Sequence, residues 1–155
     1  MAEHAIKHFT DSILYSIEQI ARYIEINSKE FFSKFITELT LEEFRTIDII
    51  MCNPDICQRD LAKLMLKDRA TTGRLVESLE KKGLVSRSVD TKNNRLVRKL
   101  SVTKDGLNIV QDITVKIKKH LEETSKIIAE SEIEKLKEGI KAFRASLEKL
   151  IELKI

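Results

Sequence analysis

Tryptophan is absent, aromatic residues make up 5% of the chain, and one proline and four glycines serve 155 residues. So few turn-formers leave no material for a fold of many short strands. So few aromatics leave no platform on which single-stranded bases could stack. No apolar run approaches the roughly 18 residues that a membrane span needs. His4, Lys7, His8 and Asp11 interrupt the stretch where a secretory leader would be apolar. A cytoplasmic protein without membrane contact is expected. Cys52 and Cys57 are the two cysteines, expected as free thiols in a reducing compartment rather than as a disulfide. Catalytic signatures are missing as well: there is no glycine-rich phosphate loop, no Gly-x-Ser-x-Gly and no His-Glu-x-x-His. Glu122, Glu123 and Glu134 read as surface charges or caps. His4 and His8 lie one helical turn apart, but too near the chain end for a metal site. No enzyme, no metal and no cofactor is expected.

What is present is an uneven distribution of charge. The net charge is +3, yet residues 58–104 hold 13 Lys/Arg against 5 acids, and the remainder nets −5. A basic centre between acidic flanks points to a polyanion at the centre and a different task at the ends.

Hydrophobic periodicity organises the chain into helices. Ile6, Phe9, Ile13, Ile17, Ile20 and Ile24 form one stripe of a helix from about Ala5 to Lys34, with Asn27-Ser28 a candidate bend. Thr40 and Glu43 spell a capping box for a second helix with Leu41, Phe44, Ile47, Ile50 and Met51 inward, stopped at Asn53-Pro54-Asp55. Two short helices follow, about Gln58–Leu66 and Arg69–Lys82, the second capped by Asp68 and ended by Gly83. Leu84–Val89 and Leu96–Val102 read as strands around a loop of Asp90–Arg95. A long helix starts after the N-cap Thr103, along Ile109, Ile113, Ile117, Leu121 and Ile128. The last opens at a second capping box, Ser131 with Glu134. Its apolar positions Ile133, Leu136, Ile140, Phe143, Leu147 and Leu150 form a seam of nearly three heptads.

The fold expected is mainly α with a small β-hairpin wing. Residues 1–35 are a dimerisation helix, 36–103 a winged helix-turn-helix, and 104–155 the C-terminal dimerisation helices. The terminal stripes have too little protein of their own to pack on, so a second copy is the economical partner, with Phe9, Ile13 and Ile17 joining the C-terminal seam in a homodimer.

The helix from Arg69 has the layout of a major-groove reader. Ala70, Gly73, Val76 and Leu79, with Leu75, face inward; Arg69, Thr71, Thr72, Arg74 and Ser78 face outward, to read bases. On the hairpin, Arg95 with Asn94 beside it is suited to the narrower minor groove. Gln58, Arg59, Lys92 and Arg98 are placed to contact phosphates. Cys57, at a helix start, and Cys52 read as small packing residues, with a redox-sensitive pair as the alternative.

Several of these runs resemble the core of MarR-type regulators. They are residues 53–62 (Asn-Pro-Asp-Ile-Cys-Gln-Arg-Asp-Leu-Ala), 68–76 (Asp-Arg-Ala-Thr-Thr-Gly-Arg-Leu-Val), 79–85 (Leu-Glu-Lys-Lys-Gly-Leu-Val), the arginine-bearing wing, and 102–106 (Val-Thr-Lys-Asp-Gly). The resemblance implies a homodimer whose first, fifth and sixth helices interlock, presenting two recognition helices and two wings to a pseudo-palindromic operator. It implies a transcriptional regulator, a repressor relieved by a small, often phenolic, ligand lodged between the dimerisation helices and the winged domain, or by another signal. The chain departs from the family at Asn94-Arg95-Leu96, where Asp-Arg-Arg is usual, at Leu66, where the turn often has glycine, and at Cys57, where Ser or Thr caps the helix. The rival reading is a winged-helix module that docks a protein, with its basic surface incidental.

Overall fold

A computed structural model of the chain describes residues 8–92, 95–126 and 129–150. Among the described residues, six α-helices and one hairpin follow in the expected order. Helix α1 (Ile13–Phe35) starts later than the apolar stripe suggests. A single 3-10 turn, Phe9–Asp11, precedes it, and Ser12 is extended and caps it by accepting from the Tyr15 amide at 3.2 Å. The helix runs unbroken through Asn27-Ser28. Phe31 and Phe32, one turn further on, are buried and anchor the helix beyond that point.

The capping box of α2 (Leu41–Cys52) is complete: the Glu43 amide donates to Thr40 Oγ1 at 3.2 Å, and the Thr40 amide donates to Glu43 Oε2 at 2.8 Å. Ile47 and Ile50 are buried as expected, but Met51, one position round the helix, is exposed, and Thr46 and Glu43 are buried in its stead. Past α2 the chain turns at Asn53–Ile56, where the Ile56 amide donates to the Asn53 carbonyl and Asp55 takes a φ of 64°. This is the pattern of a turn with proline second and a left-handed residue third.

Helices α3 (Gln58–Leu64) and α4 (Arg69–Lys81) end in the same way. After α4, the Gly83 amide donates to the Glu80 carbonyl and the Leu84 amide to the Leu79 carbonyl, with Gly83 at φ 73°. After α3, the Leu66 amide donates to the Lys63 carbonyl and the Lys67 amide to the Ala62 carbonyl. Both are Schellman turns. The first places leucine, at φ 53°, where the second has glycine.

Strands β1 (Val85–Lys92) and β2 (Arg95–Val102) pair antiparallel, from Val85 with Val102 to Lys92 with Arg95. They extend further toward the tip than their apolar content suggests, helped by an ion pair of 2.7 Å between Asp90 and Lys99 across the hairpin. A third segment joins them: the Leu100 amide donates to the Ile56 carbonyl, and Cys57 bridges to Lys99.

Helix α5 (Lys104–Ser125) is capped by Thr103, whose Oγ1 accepts from the Gly106 amide and donates to the Gly83 carbonyl. At Gly106 a Cβ would overlap the Leu84 carbonyl and come within 2.7 Å of Val102 Cγ1, so this position needs the smallest residue. Helix α6 (Glu130–Leu150) starts one residue ahead of Ser131. Ser131 is therefore inside it, and Glu134 pairs with Lys137 at 2.6 Å, so the expected capping box is not formed.

The core lies between α2, α3, α4, the wing and α5, with Ile47, Leu61, Val76, Leu79 and Leu100 fully buried. Phe31 and Phe32 of α1 and Val110 and Ile113 of α5 enter the same cluster. Among the described residues, no helix is long and apolar enough to cross a membrane.

Candidate nucleic-acid interface

Helix α4 presents one face to the core and one to solvent. Asp68 caps it, accepting from the Thr71 amide and from Thr71 Oγ1, both at 2.7 Å. Those bonds, the Thr71 hydroxyl first, hold the Asp68 carboxyl below its ordinary range. Thr71 Oγ1 in turn accepts from Arg74 Nη2 at 3.3 Å. Asp68, Thr71 and Arg74 thus form a line along the first turn that orients the arginine. Arg69, Ala70, Arg74, Glu77 and Lys81 are exposed, with Glu77 and Lys81 paired at 2.9 Å.

The structure corrects three assignments on this helix. Thr72 does not face outward. It is 0% exposed and its hydroxyl donates to the Asp68 carbonyl at 2.9 Å. Ser78 is half-buried and donates to Glu43 Oε1 at 2.6 Å, so it faces α2. Ala70, read as inward, is exposed beside Arg69. The polar residues Arg69, Thr71 and Thr72 stand on both faces of the first turn, which hid the phase of the helix.

The mounting of α4 centres on Glu43, which the sequence showed only as a cap. Its carboxylate accepts from the Thr40 amide, from Ser78 and from Lys82 Nζ at 2.7 Å, while Lys82 also donates to the Glu38 carbonyl. Burial pushes this carboxyl up, but Lys82, Ser78 and Thr40 outweigh it and hold it below the ordinary carboxylate range. At the other end of α4, Gln58 is half-buried and its Nε2 lies 3.4 Å from the Arg69 carbonyl and 2.9 Å from where a Cβ would stand at Gly73. Gln58 therefore packs the start of α3 onto α4. Arg59 is exposed, 3.4 Å from Asp60.

Arg87 of β1 ties the wing to α4 through Glu80 at 3.1 Å. Arg98 is exposed, opposite Val89. The backbones of Lys92 and Arg95 form the last described pair of the hairpin, their side chains lie outside what the structure describes, and Asn94 lies outside the described residues. Lys99 is bound to Asp90 and lies 3.5 Å from Asp55, which raises its ammonium pKa, mainly through Asp90.

Both cysteines are free thiols. Cys52 is exposed rather than tucked into the core, and half-buried Cys57 donates to Asp60 Oδ2 at 3.1 Å. Of the expected dimerisation residues, Phe9, Ile13, Ile17, Leu136 and Ile140 are exposed, whereas Ile133, Phe143 and Leu147 are half-buried. Leu150 ends α6, but its side chain lies outside the described residues. A groove of about 410 Å³ opens between α1, α2 and α5, its wall including Phe31, Phe44, Arg45, Ile117 and His120. His120 stacks on Phe31 at 4.4 Å, and its Nε2 is 2.9 Å from Asn27 Oδ1.

Comparison with known proteins agrees with this geometry. The model of the MarR family matches residues 39–97. The HTH-type transcriptional regulator YybA of Bacillus subtilis, itself uncharacterized, is 30% identical over 99 residues, which is 64% of this chain and 64% of YybA. The transcriptional regulator SlyA superposes with a TM-score of 0.72 at 25% identity, over 89% of this chain and 95% of SlyA. The S. aureus MepR–DNA complex superposes with a TM-score of 0.71 at 22% identity, over 88% of this chain and 98% of MepR.

Proposed function

We propose that this chain, whose residues 39–97 match the model of the MarR family, is a transcriptional regulator of that family and binds duplex DNA as a homodimer. The observation that carries this reading is the outer face of α4. Arg69, Ala70 and Arg74 stand free of the core at the N-terminal end of a helix that Glu43, Gln58 and Arg87 hold from behind. A helix so mounted can enter a major groove, with arginine suited to guanine and the Ala70 methyl to thymine. MepR, which shares the fold, is solved on DNA.

In this reading Arg69, Thr71 and Arg74 face the bases, Arg95 enters the minor groove, and Arg59, Lys92 and Arg98 hold phosphates. Thr72, Ser78 and Gln58 support α4 from within. The exposed apolar residues of α1 and α6 pair with those of a second copy, separating two recognition helices by about one turn of DNA, roughly 34 Å. The groove beside Arg45 is a seat for a small effector whose binding shifts that spacing, and the chain has no catalytic role.

Fluorescence anisotropy with a duplex selected by the chain from a random pool, repeated at several salt concentrations, tests this. Expected is tight binding that falls steeply with salt for the selected duplex and much weaker binding to random sequence. A chain that selects no duplex but still binds a protein partner would be the interaction module instead.

A further inference from the structure

A line of charged side chains runs behind the helix-turn-helix, none of them on the outer face of α4. Glu25 on α1 accepts from Arg45 Nη2 on α2 at 2.9 Å. Arg45 Nη1 donates to Glu42 Oε1 at 2.9 Å. The other oxygen of Glu42 meets Lys67 Nζ at 2.8 Å. Lys67 is the residue whose amide closes the turn between α3 and α4, next to the left-handed Leu66. Four side chains, each about one-third exposed, therefore join the first long helix, α2 and the turn itself.

Two features give this line more than a packing role. Glu42 has a different cation on each oxygen, so its position depends on both neighbours; Lys67, then Arg45, hold its carboxyl below the ordinary range against the push of burial. The turn it holds keeps leucine in a conformation that favours glycine, a strain that persists only while the contacts around it hold it in place. Arg45 also forms part of the groove wall.

We propose that Glu42 and Arg45 are positioning residues that transmit the placement of α1 to the turn of the helix-turn-helix, and so govern how α4 is presented to DNA. The proposal rests on the DNA-binding reading above. A molecule that seats in the groove and draws Arg45 from Glu25 or Glu42 loosens the turn without touching α4.

The test is a mutant cycle on Glu25 and Lys67, which have no bond to each other. The wild-type chain, Glu25→Gln, Lys67→Gln, their double and Lys67→Arg are titrated against the duplex that the wild-type chain selects, with the thermal midpoint of each measured alongside. If the relay operates, each single change weakens binding about three- to tenfold, since a dimer carries it twice. The double is then no weaker than the worse single, because one broken link already severs the line. Lys67→Arg retains the wild-type affinity, and the salt dependence is unchanged because no phosphate contact is lost. Three results would overturn it: single effects that multiply to within about twofold, as independent sites do; a salt slope that falls by about one per protomer, marking Lys67 as a phosphate ligand; or losses that only track the fraction unfolded. A wild-type chain that selects no duplex removes the premise itself, and that is seen before any variant is made.

Discussion

Leu66 and Gly83 occupy the same place in two equivalent turns, which isolates what one side chain does. Leu66 holds φ 53° and is 76% exposed, so its side chain gains little from burial to offset the disfavoured backbone. Leu66→Gly should therefore raise stability by about 0.5–1 kcal/mol, the relief of strain exceeding the entropy that glycine adds to the unfolded chain. Urea unfolding decides it, and an unchanged or lowered midpoint would mean the leucine is not strained. At Gly83 the sign reverses. Nothing lies within 4 Å of an added Cβ, so Gly83→Ala tests the backbone alone and should cost about 1 kcal/mol. On the DNA side, Arg74→Ala should cost about 1–3 kcal/mol in affinity for the selected duplex, with a much smaller loss on random DNA. Equal losses on both would remove Arg74 from base reading. Local chemistry of this kind was legible in the sequence: Thr40, Asp68, Thr103 and Gly83 act as their residue types suggest. Thr72 and Ser78 were not, because hydroxyls satisfied by a carbonyl and a buried carboxylate look polar in a sequence and lie inward in the fold.

At the scale of elements, the telling contact joins α2 to α4 through Glu43. Its carboxyl is lowered in the folded chain, so the stability it contributes is fully present above the unfolded value near 4.5 and is lost as pH falls through the lower folded value. Glu43→Gln should be less stable than wild type by about 1–3 kcal/mol at neutral pH. The gap should narrow as acidification below about pH 4.5 protonates this carboxylate first in the unfolded chain and then, at the lower folded value, in the folded one. Equal unfolding free energies at pH 7 would show that the Ser78 and Lys82 bonds hold nothing. Helix order and most helix starts follow from periodicity and caps, whereas the partners that orient one element on another do not. Glu43 and Ser78 are 35 positions apart, and Ile56 and Leu100, which add a third segment to the wing, 44. Periodicity also stopped both strands short, since it sees no apolar residue in Asp90–Lys92, and an ion pair to Lys99 carries the ladder through.

For the whole molecule, the question is what covers the ends. Ile13, Ile20 and Ile24 on α1 and Leu136 and Ile140 on α6 are each more than half exposed in a single chain that packs its central core fully. Large apolar side chains left in water along a helix stripe mark a surface that meets a partner. The heptad spacing of Ile133, Leu136, Ile140, Phe143 and Leu147 suits a helix of another copy. Leu136→Lys combined with Ile140→Lys places two charges on that seam while leaving the central core untouched, so the winged domain should keep its helical signal. Light scattering is expected to give twice the chain mass for wild type and a monomer for the variant. Two half-sites bound by linked domains gain about 10²-fold or more over one. The monomer should therefore lose at least that much affinity for the palindromic duplex, and about half the salt slope, while a single half-site binds it much as before. A monomeric wild type, or a monomeric variant that still grips the full site, would mean that the greasy ends serve some other contact and that the two recognition helices do not act as a pair.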